Sequence, residues 1–176
     1  DDLQKCKDGI ESARKNGSFL FLICGGYQLM GKYYRDADGN DIPGLGLFDY
    51  YTAAEPNRRK RCIGNIVIRT EFTGKTVVIV GFENHGGQTK DVKTPLGSVL
   101  YGHGNCTKSS HEGYFEKNVI ATYMHGPCLS KNPEISDYII EYCVNRNSDT
   151  PVKLGKLDDD LELKCRDIMK ERLLNK

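Results

Sequence analysis

The chain has 176 residues, 38% of them hydrophobic and 28% charged, with a formal net charge of +1. That length and composition predict one globular domain over 1–176 with a real core. The near-balanced charge excludes a strong electrostatic case for nucleic acid or a membrane surface, and no apolar run approaches the roughly 20 residues that span a bilayer. The seven cysteines are odd in number and form no C-x-x-C pair, which predicts free thiols in a reducing cytoplasm rather than a disulfide framework. The chain opens without Met in an amphipathic stretch and reads as part of a longer chain.

Residues 1–16 predict a helix, with Leu3, Cys6, Ile10 and Ala13 at three- and four-residue steps. Asn16-Gly17 ends it and leads into an apolar strand over 18–23. Cys24, Gly25 and Gly26 follow, then a helical pattern to Tyr34. This αβα alternation, with a strand apolar on both faces, predicts an α/β fold built on a mostly parallel sheet flanked by helices. Residues 36–40 are a turn, and a short strand is expected around 47–52. Residues 57–61 form a basic loop, whose bland reading is a solvated charge run. Residues 63–70 and 76–82 predict an antiparallel hairpin turning at 73–75, followed by a polar stretch over 83–87. A short strand is expected at 98–101, a flexible Gly-, Asn-, Ser- and His-rich loop over 102–113, and a strand over 118–124 that ends on His125. Asn132 and Pro133 predict the N-cap and first turn of a helix to about 145. A charged helix over 158–174 closes the chain.

Cys24 ends a strand and is followed by glycines, a strand-turn-helix elbow that can lift a nucleophile. The helix N-terminus after it is expected to favour the thiolate. The alternative is an inert core cysteine. A thiol nucleophile needs a base. Of the four histidines, His103 and His111 fall in the polar loop, whereas His125, like Cys24, ends an apolar strand. Sites in open α/β sheets form at the carboxyl ends of strands, so Cys24 and His125 pair as a candidate dyad. No acidic residue stands within two positions of His125. The N–H of Gly25 is the expected oxyanion donor. Two rival motifs are weak. Gly26 to Lys32 matches G-x-x-x-x-G-K, but Tyr33 supplies no metal-holding hydroxyl of the phosphate-loop kind, and Leu29 and Met30 read as core-facing. His103-x-x-Cys106 with His111 lacks a second pair for zinc, so no metal site is expected.

Three blocks together, Ile23 to Gly31, Phe82 to Gly87 and Thr122 to Pro127, resemble the class I glutamine amidotransferases of the cobyric-acid-synthase-like branch. Within it the chain is most similar to the GatD-like glutaminase subunits, on Gly44 to Leu47, Arg61 to Ile68 and Tyr101 to Asn105. The resemblance runs from about Gly17 to the C-terminus. It implies a flavodoxin-like fold in which Cys24 attacks the glutamine amide and His125 handles the protons. It places Gln28, Asn84 and Gly86 at substrate-contacting positions. The substrate-binding arginine is Arg61 when the following Ile-Gly-Asn-Ile-Val anchors the comparison, and Arg58 when the preceding Asn57 does. Pro127 stands where the wider class has a glutamate, in keeping with the dyad of the GatD-like group.

The resemblance further implies a heterodimer with a Mur-ligase-like subunit. That partner would hold ATP and Mg²⁺ and use the released ammonia to amidate D-glutamate of lipid II to D-isoglutamine; this chain would carry no cofactor. Family members carry αβ units upstream of this chain's first residue, including the loop with a second oxyanion N–H. Residues 1–176 alone are therefore expected to hydrolyse glutamine poorly. An amidotransferase with a cobyrinate-type acceptor, and a non-catalytic interaction module of the same fold, are the other readings.

Overall fold

The structure, a computed structural model, describes residues 2–57, 60–71 and 74–175. The N-terminal helical stretch is two pieces, α1 (Asp2–Lys5) and α2 (Lys7–Lys15), broken at Cys6. Gly17, at φ +83°, turns the chain into β1 (Leu20–Ile23). Helix α3 (Gly25–Met30) is six residues long and stops short of Tyr34. The chain continues through β2 (Tyr33–Arg35), β3 (Asp41–Pro43) and β4 (Tyr51–Ala54), the last displaced from the 47–52 expectation. Leu45 and Phe48 instead tuck into the core under α3 as irregular backbone.

The hairpin forms from β5 (Cys62–Thr70) and β6 (Val77–His85), in antiparallel register from Cys62↔His85 to Thr70↔Val77. Thr73 of its predicted turn lies outside the described residues. The polar residues 83–85 extend β6 rather than follow it, and β7 (Gly87–Lys90) continues beyond. Next come β8 (Gly97–Tyr101), β9 (His111–Glu112), β10 (Tyr114–Glu116), β11 (Val119–Thr122), β12 (Met124–His125), α4 (Cys128–Lys131), α5 (Pro133–Asn145) and α6 (Asp160–Leu174).

The strands form three sheets, ordered β1-β11-β10, β12-β6-β5-β8-β9 and β3-β2-β4-β7. The α/β class stands, but the sheet is not mostly parallel. Among the described residues β1 pairs with β11 in parallel and β2 with β4, and the other pairings are antiparallel. The reason is connection length: a parallel pair needs a crossover, whereas the short links after β5, β8 and β10 permit hairpin-like returns. Val119 to Thr122 are buried on both faces, as a strand sandwiched between layers should be.

One segment ties two sheets together. β11 lies in the first sheet, Tyr123 leaves it, and β12 pairs with β6 of the second through Met124↔Glu83 and His125↔Phe82. The buried Glu112 holds this crossing: its Oε1 accepts the Thr122 hydroxyl at 2.9 Å and the Tyr123 N–H at 2.7 Å. One core gathers Tyr27, Tyr50, Tyr114 and Tyr123 beneath α3, and a second gathers Ile66, Ile68, Ile79, Met124 and Ile135.

Two local expectations change. Residues 102–113 are not simply a flexible loop. Gly104, Asn105 and Glu112 are buried, and Glu83 ties the segment down by accepting the N–H groups of His103 and Gly104 at 2.7 and 3.0 Å. Asn132 precedes α5 but its side chain does not cap it. It is fully buried, accepts the Val80 N–H at 2.9 Å, and donates to the carbonyls of Val80 and Cys128 at 2.9 and 2.7 Å. The short amide that can cap a helix can equally replace a missing neighbour strand.

Candidate active site

Cys24 sits between β1 and α3 with φ 51° and ψ −103°. Positive φ is costly for a residue with a Cβ and persists only where the surroundings enforce it. Two backbone bonds do so here: the Cys24 N–H donates to the Thr122 carbonyl at 2.9 Å, and the Cys24 carbonyl accepts the Gln28 N–H at 3.0 Å. The side chain is half-buried. A Cβ built on Gly25 would meet nothing within 4 Å, so the backbone beside the thiol opens onto free space. The Gly25 N–H faces the Cys24 sulfur.

The elbow does not lower the thiol pKa as expected. Burial raises it above the ordinary thiol value, and the Gly25 N–H and the Arg61 charge offset that only in part. A six-residue helix has little dipole to offer. The same geometry disposes of the phosphate-loop motif, since Gly25 to Met30 are helix rather than cradle. Met30 is buried as read, but Leu29 is 38% exposed.

His125 lies just beyond the strand end beside Cys24, on β12 of the second sheet. Ile23 is in register with Thr122, and His125 follows three residues later. Its Nε2 is enclosed and has no hydrogen-bond partner among the described residues. No carboxylate bonds the ring among the described residues. The backbone pairing of β12 with β6 holds its position.

The glutamine-site candidates fall into two groups. Arg61 donates from Nη2 to Asn84 Oδ1 at 2.9 Å. A Cβ on Gly86 would lie 3.8 Å from the Arg61 side chain, so Gly86 belongs to the same cluster. The Arg61 charge reaches the Cys24 thiol. Arg58 lies outside the described residues. Gln28, half-buried on α3, donates from Nε2 to the Tyr123 hydroxyl at 3.3 Å. It packs against Gly87, where a Cβ would approach that nitrogen to 2.4 Å.

Beneath these residues lies a buried layer that motif reading overlooks. Along β6, Phe82 and Asn84 are exposed while Glu83 and His85 are buried, the period-two alternation of a strand. The His85 ring stacks on Tyr123 with centroids 3.6 Å apart and 7° between planes. Its Nδ1 pairs with the Gly87 carbonyl at 2.7 Å, and its Nε2 lies 3.7 Å from Glu83 Oε2. Burial works against a charged ring, but the neighbouring Cys62 and Glu83 and the bond to the Gly87 carbonyl outweigh it and hold His85 at about 9. Glu112 is pushed up to about 7 by complete burial, despite its bonds from Tyr123 and Thr122. The one available signal was a polar Tyr, Glu or His inside an otherwise apolar or glycine-rich stretch. His103 is half-buried and His111 exposed, its Nδ1 3.0 Å from the Ser110 hydroxyl.

Residues 1–133 match the CobB/CobQ-like glutamine amidotransferase domain. The chain belongs to that family. Among its relatives, the GatD subunit of the glutamine-hydrolysing lipid II isoglutaminyl synthase of Staphylococcus aureus (strain N315) is 39% identical over 97% of this chain and 68% of its own length. The corresponding subunit from Streptococcus pneumoniae (strain ATCC BAA-255 / R6) is 38% identical over 92% of this chain and 61% of its own length. A probable cobyric acid synthase of Methanococcus maripaludis is 32% identical over 83% of this chain and 29% of its own. The chain thus spans roughly two thirds of the GatD relatives. No helix among the described residues is long and apolar enough to cross a membrane.

Proposed function

We propose that this chain is the glutaminase subunit of an amide-forming complex, releasing ammonia from L-glutamine for an ATP-dependent partner. The observation that carries the reading is the strained elbow at Cys24, beside the end of β11 that leads into His125 and within electrostatic reach of Arg61.

The chemistry follows from the residues. His125 Nε2 takes the Cys24 proton and the sulfur attacks the side-chain amide carbon of glutamine. The carbonyl oxygen becomes an oxyanion opposite the Gly25 N–H. The imidazolium returns the proton to the amide nitrogen, the C–N bond breaks, and ammonia leaves a γ-glutamyl thioester. His125 then takes a proton from water, hydroxide adds to the thioester carbon, and glutamate departs as the proton returns to sulfur. Because burial raises the thiol above its ordinary pKa, the attack depends on His125 to take the proton. Arg61, braced by Asn84 beside Gly86, grips the substrate carboxylate, and Gln28 contacts the substrate from α3.

Two GatD relatives are named as subunits of a lipid II isoglutaminyl synthase, which supports a lipid II acceptor; we take the partner to be a Mur-ligase-like subunit that holds ATP and Mg²⁺ itself and converts D-glutamate of lipid II to D-isoglutamine at the cytoplasmic face of the membrane. The test is labelling of the full-length protein with a diazo-ketone mimic of glutamine. One adduct, on Cys24 and lost in Cys24→Ser, is expected; labelling spread over the other cysteines, or none, sinks the reading. Co-purification with a Mur-like ligase, and ammonia transfer to lipid II by the pair, decides the acceptor.

A further inference from the structure

Tyr123 stands two residues before His125, and the mechanism above does not use it. It is fully buried, with its ring between His85 and Tyr27. Its hydroxyl lies 2.5 Å from Thr89 Oγ1, which lies 2.8 Å from Thr52 Oγ1. Thr52 and Thr89 are buried as well, at 0% and 2% exposure, so bulk water does not replace a lost partner in this chain of hydroxyls. At its open end the chain meets the half-buried Gln28, whose Nε2 donates to the Tyr123 oxygen at 3.3 Å.

The proton inventory sets the direction. A phenol has one hydrogen to give. With Gln28 donating to the oxygen, the Tyr123 hydrogen goes to the buried threonine hydroxyls, of which Thr89 lies at 2.5 Å and Thr52 is also within reach. The Gln28 amide is then held by its nitrogen, and its carbonyl oxygen is the end left over. Gly87 makes the room, because a Cβ there would come within 2.4 Å of Gln28 Nε2 and 2.7 Å of Thr52 Cγ2. The Tyr123 hydroxyl is also close enough to Cys24 for the two to interact electrostatically, so this arrangement borders the reacting sulfur.

The geometry points to Tyr123 as a positioning residue that acts through Gln28, turning the Gln28 carbonyl oxygen toward the ligand so that the site accepts a hydrogen bond from a substrate N–H. This rests on the reading that the site binds glutamine. Tyr123 touches no reacting atom; its effect falls on ground-state recognition.

The experiment is steady-state glutaminase kinetics of the full-length protein in its complex, for Tyr123→Phe, Gly87→Ala and Thr89→Val. Phenylalanine keeps the ring stacked on His85 and removes only the hydroxyl. Loss of one neutral hydrogen bond predicts a roughly three- to tenfold rise in KM for glutamine, with a smaller change in kcat. Alkylation of Cys24 by iodoacetamide, which lacks the α-amino and α-carboxylate groups of glutamine, should keep the wild-type rate. Gly87→Ala, which displaces the Gln28 amide directly, should raise KM in the same way. Thr89→Val combined with Tyr123→Phe should add little to either alone, because both break one chain. An unchanged KM in Tyr123→Phe and Gly87→Ala overturns the inference while leaving the proposed function intact. So does a fall in kcat and in iodoacetamide alkylation together at constant KM. Absence of glutamine turnover by the wild-type complex overturns both.

Discussion

Arg61 and Asn84, 23 residues apart in the chain, are joined by a 2.9 Å hydrogen bond across the open end of the β5–β6 hairpin. The register there pairs Cys62 with His85 and Ile63 with Asn84, so the guanidinium reaches over the last rung of the ladder to the amide. The bond leaves the rest of the guanidinium fork for a ligand and fixes its direction. The first prediction follows. Arg61→Ala should raise KM for glutamine by roughly one to two orders of magnitude, the worth of one to two charged hydrogen bonds. Arg61→Lys should fall between, since an ammonium lacks the planar fork, and Asn84→Ala should cost less than Arg61→Ala. An unchanged KM in Arg61→Ala would return the role to Arg58.

The Cys24 thiol titrates above the ordinary thiol range because burial disfavours the thiolate. Alkylation of the free protein by iodoacetamide should therefore rise about tenfold per pH unit through neutrality and level off only above the usual thiol pKa. Arg61 is one of the influences that lower this pKa, so Arg61→Ala should slow alkylation at a fixed pH. A plateau below pH 8 in the wild type would contradict the burial argument.

His125→Ala should abolish measurable turnover, a fall of at least two to three orders of magnitude for a lost general base, yet still permit slow alkylation of Cys24. His85→Ala should instead lower the melting temperature, because it removes a stacked ring from the interior. Retained turnover in His125→Ala would move the base elsewhere.

Glu112 and His85 give the fold a pH dependence with a definite sign. Glu112 is raised to about 7, so its favourable contribution is complete below the unfolded carboxyl pKa and is lost as pH rises through 7. His85 is raised to about 9, so its contribution is complete below about 6.5 and is lost as pH rises through 9. Stability should therefore decline from pH 6 to pH 9. Glu112→Gln keeps an acceptor for the Tyr123 N–H and removes the ionisation. Its unfolding free energy relative to wild type should become more favourable between pH 5 and pH 8, by an amount on the order of 3 kcal/mol at most. A pH-independent difference would count against the assignment.

Asn132→Ala should leave the buried N–H and carbonyl of Val80 without these partners and destabilise the protein by about 2–4 kcal/mol. Urea unfolding measures it. Asn132→Asp should not restore the loss, since a carboxylate cannot donate to the carbonyls of Val80 and Cys128. A loss below about 0.5 kcal/mol in Asn132→Ala would contradict the bridging role.

The elbow at Cys24 and the strand-end position of His125 are legible in residue order, because each depends on a handful of consecutive side chains. An apolar run, a cysteine and two glycines have few other local conformations. The sheet type was not legible in this way. Alternating αβ segments suggested parallel pairing, but pairing is settled by which remote strand lies alongside, and here short links brought hairpins together. Asn132 misleads for a related reason, since a cap and a bridge to β6 use the same amide. Tyr123, Glu112 and His85 are silent in a linear reading because their meaning is in their neighbours: Tyr123 faces Gln28 from 95 residues away and Glu112 grips a peptide 11 residues on. Local sequence selects the nucleophile and its candidate base. The long-range packing of three sheets, which excludes water and so makes every polar contact count, orients the groups around them.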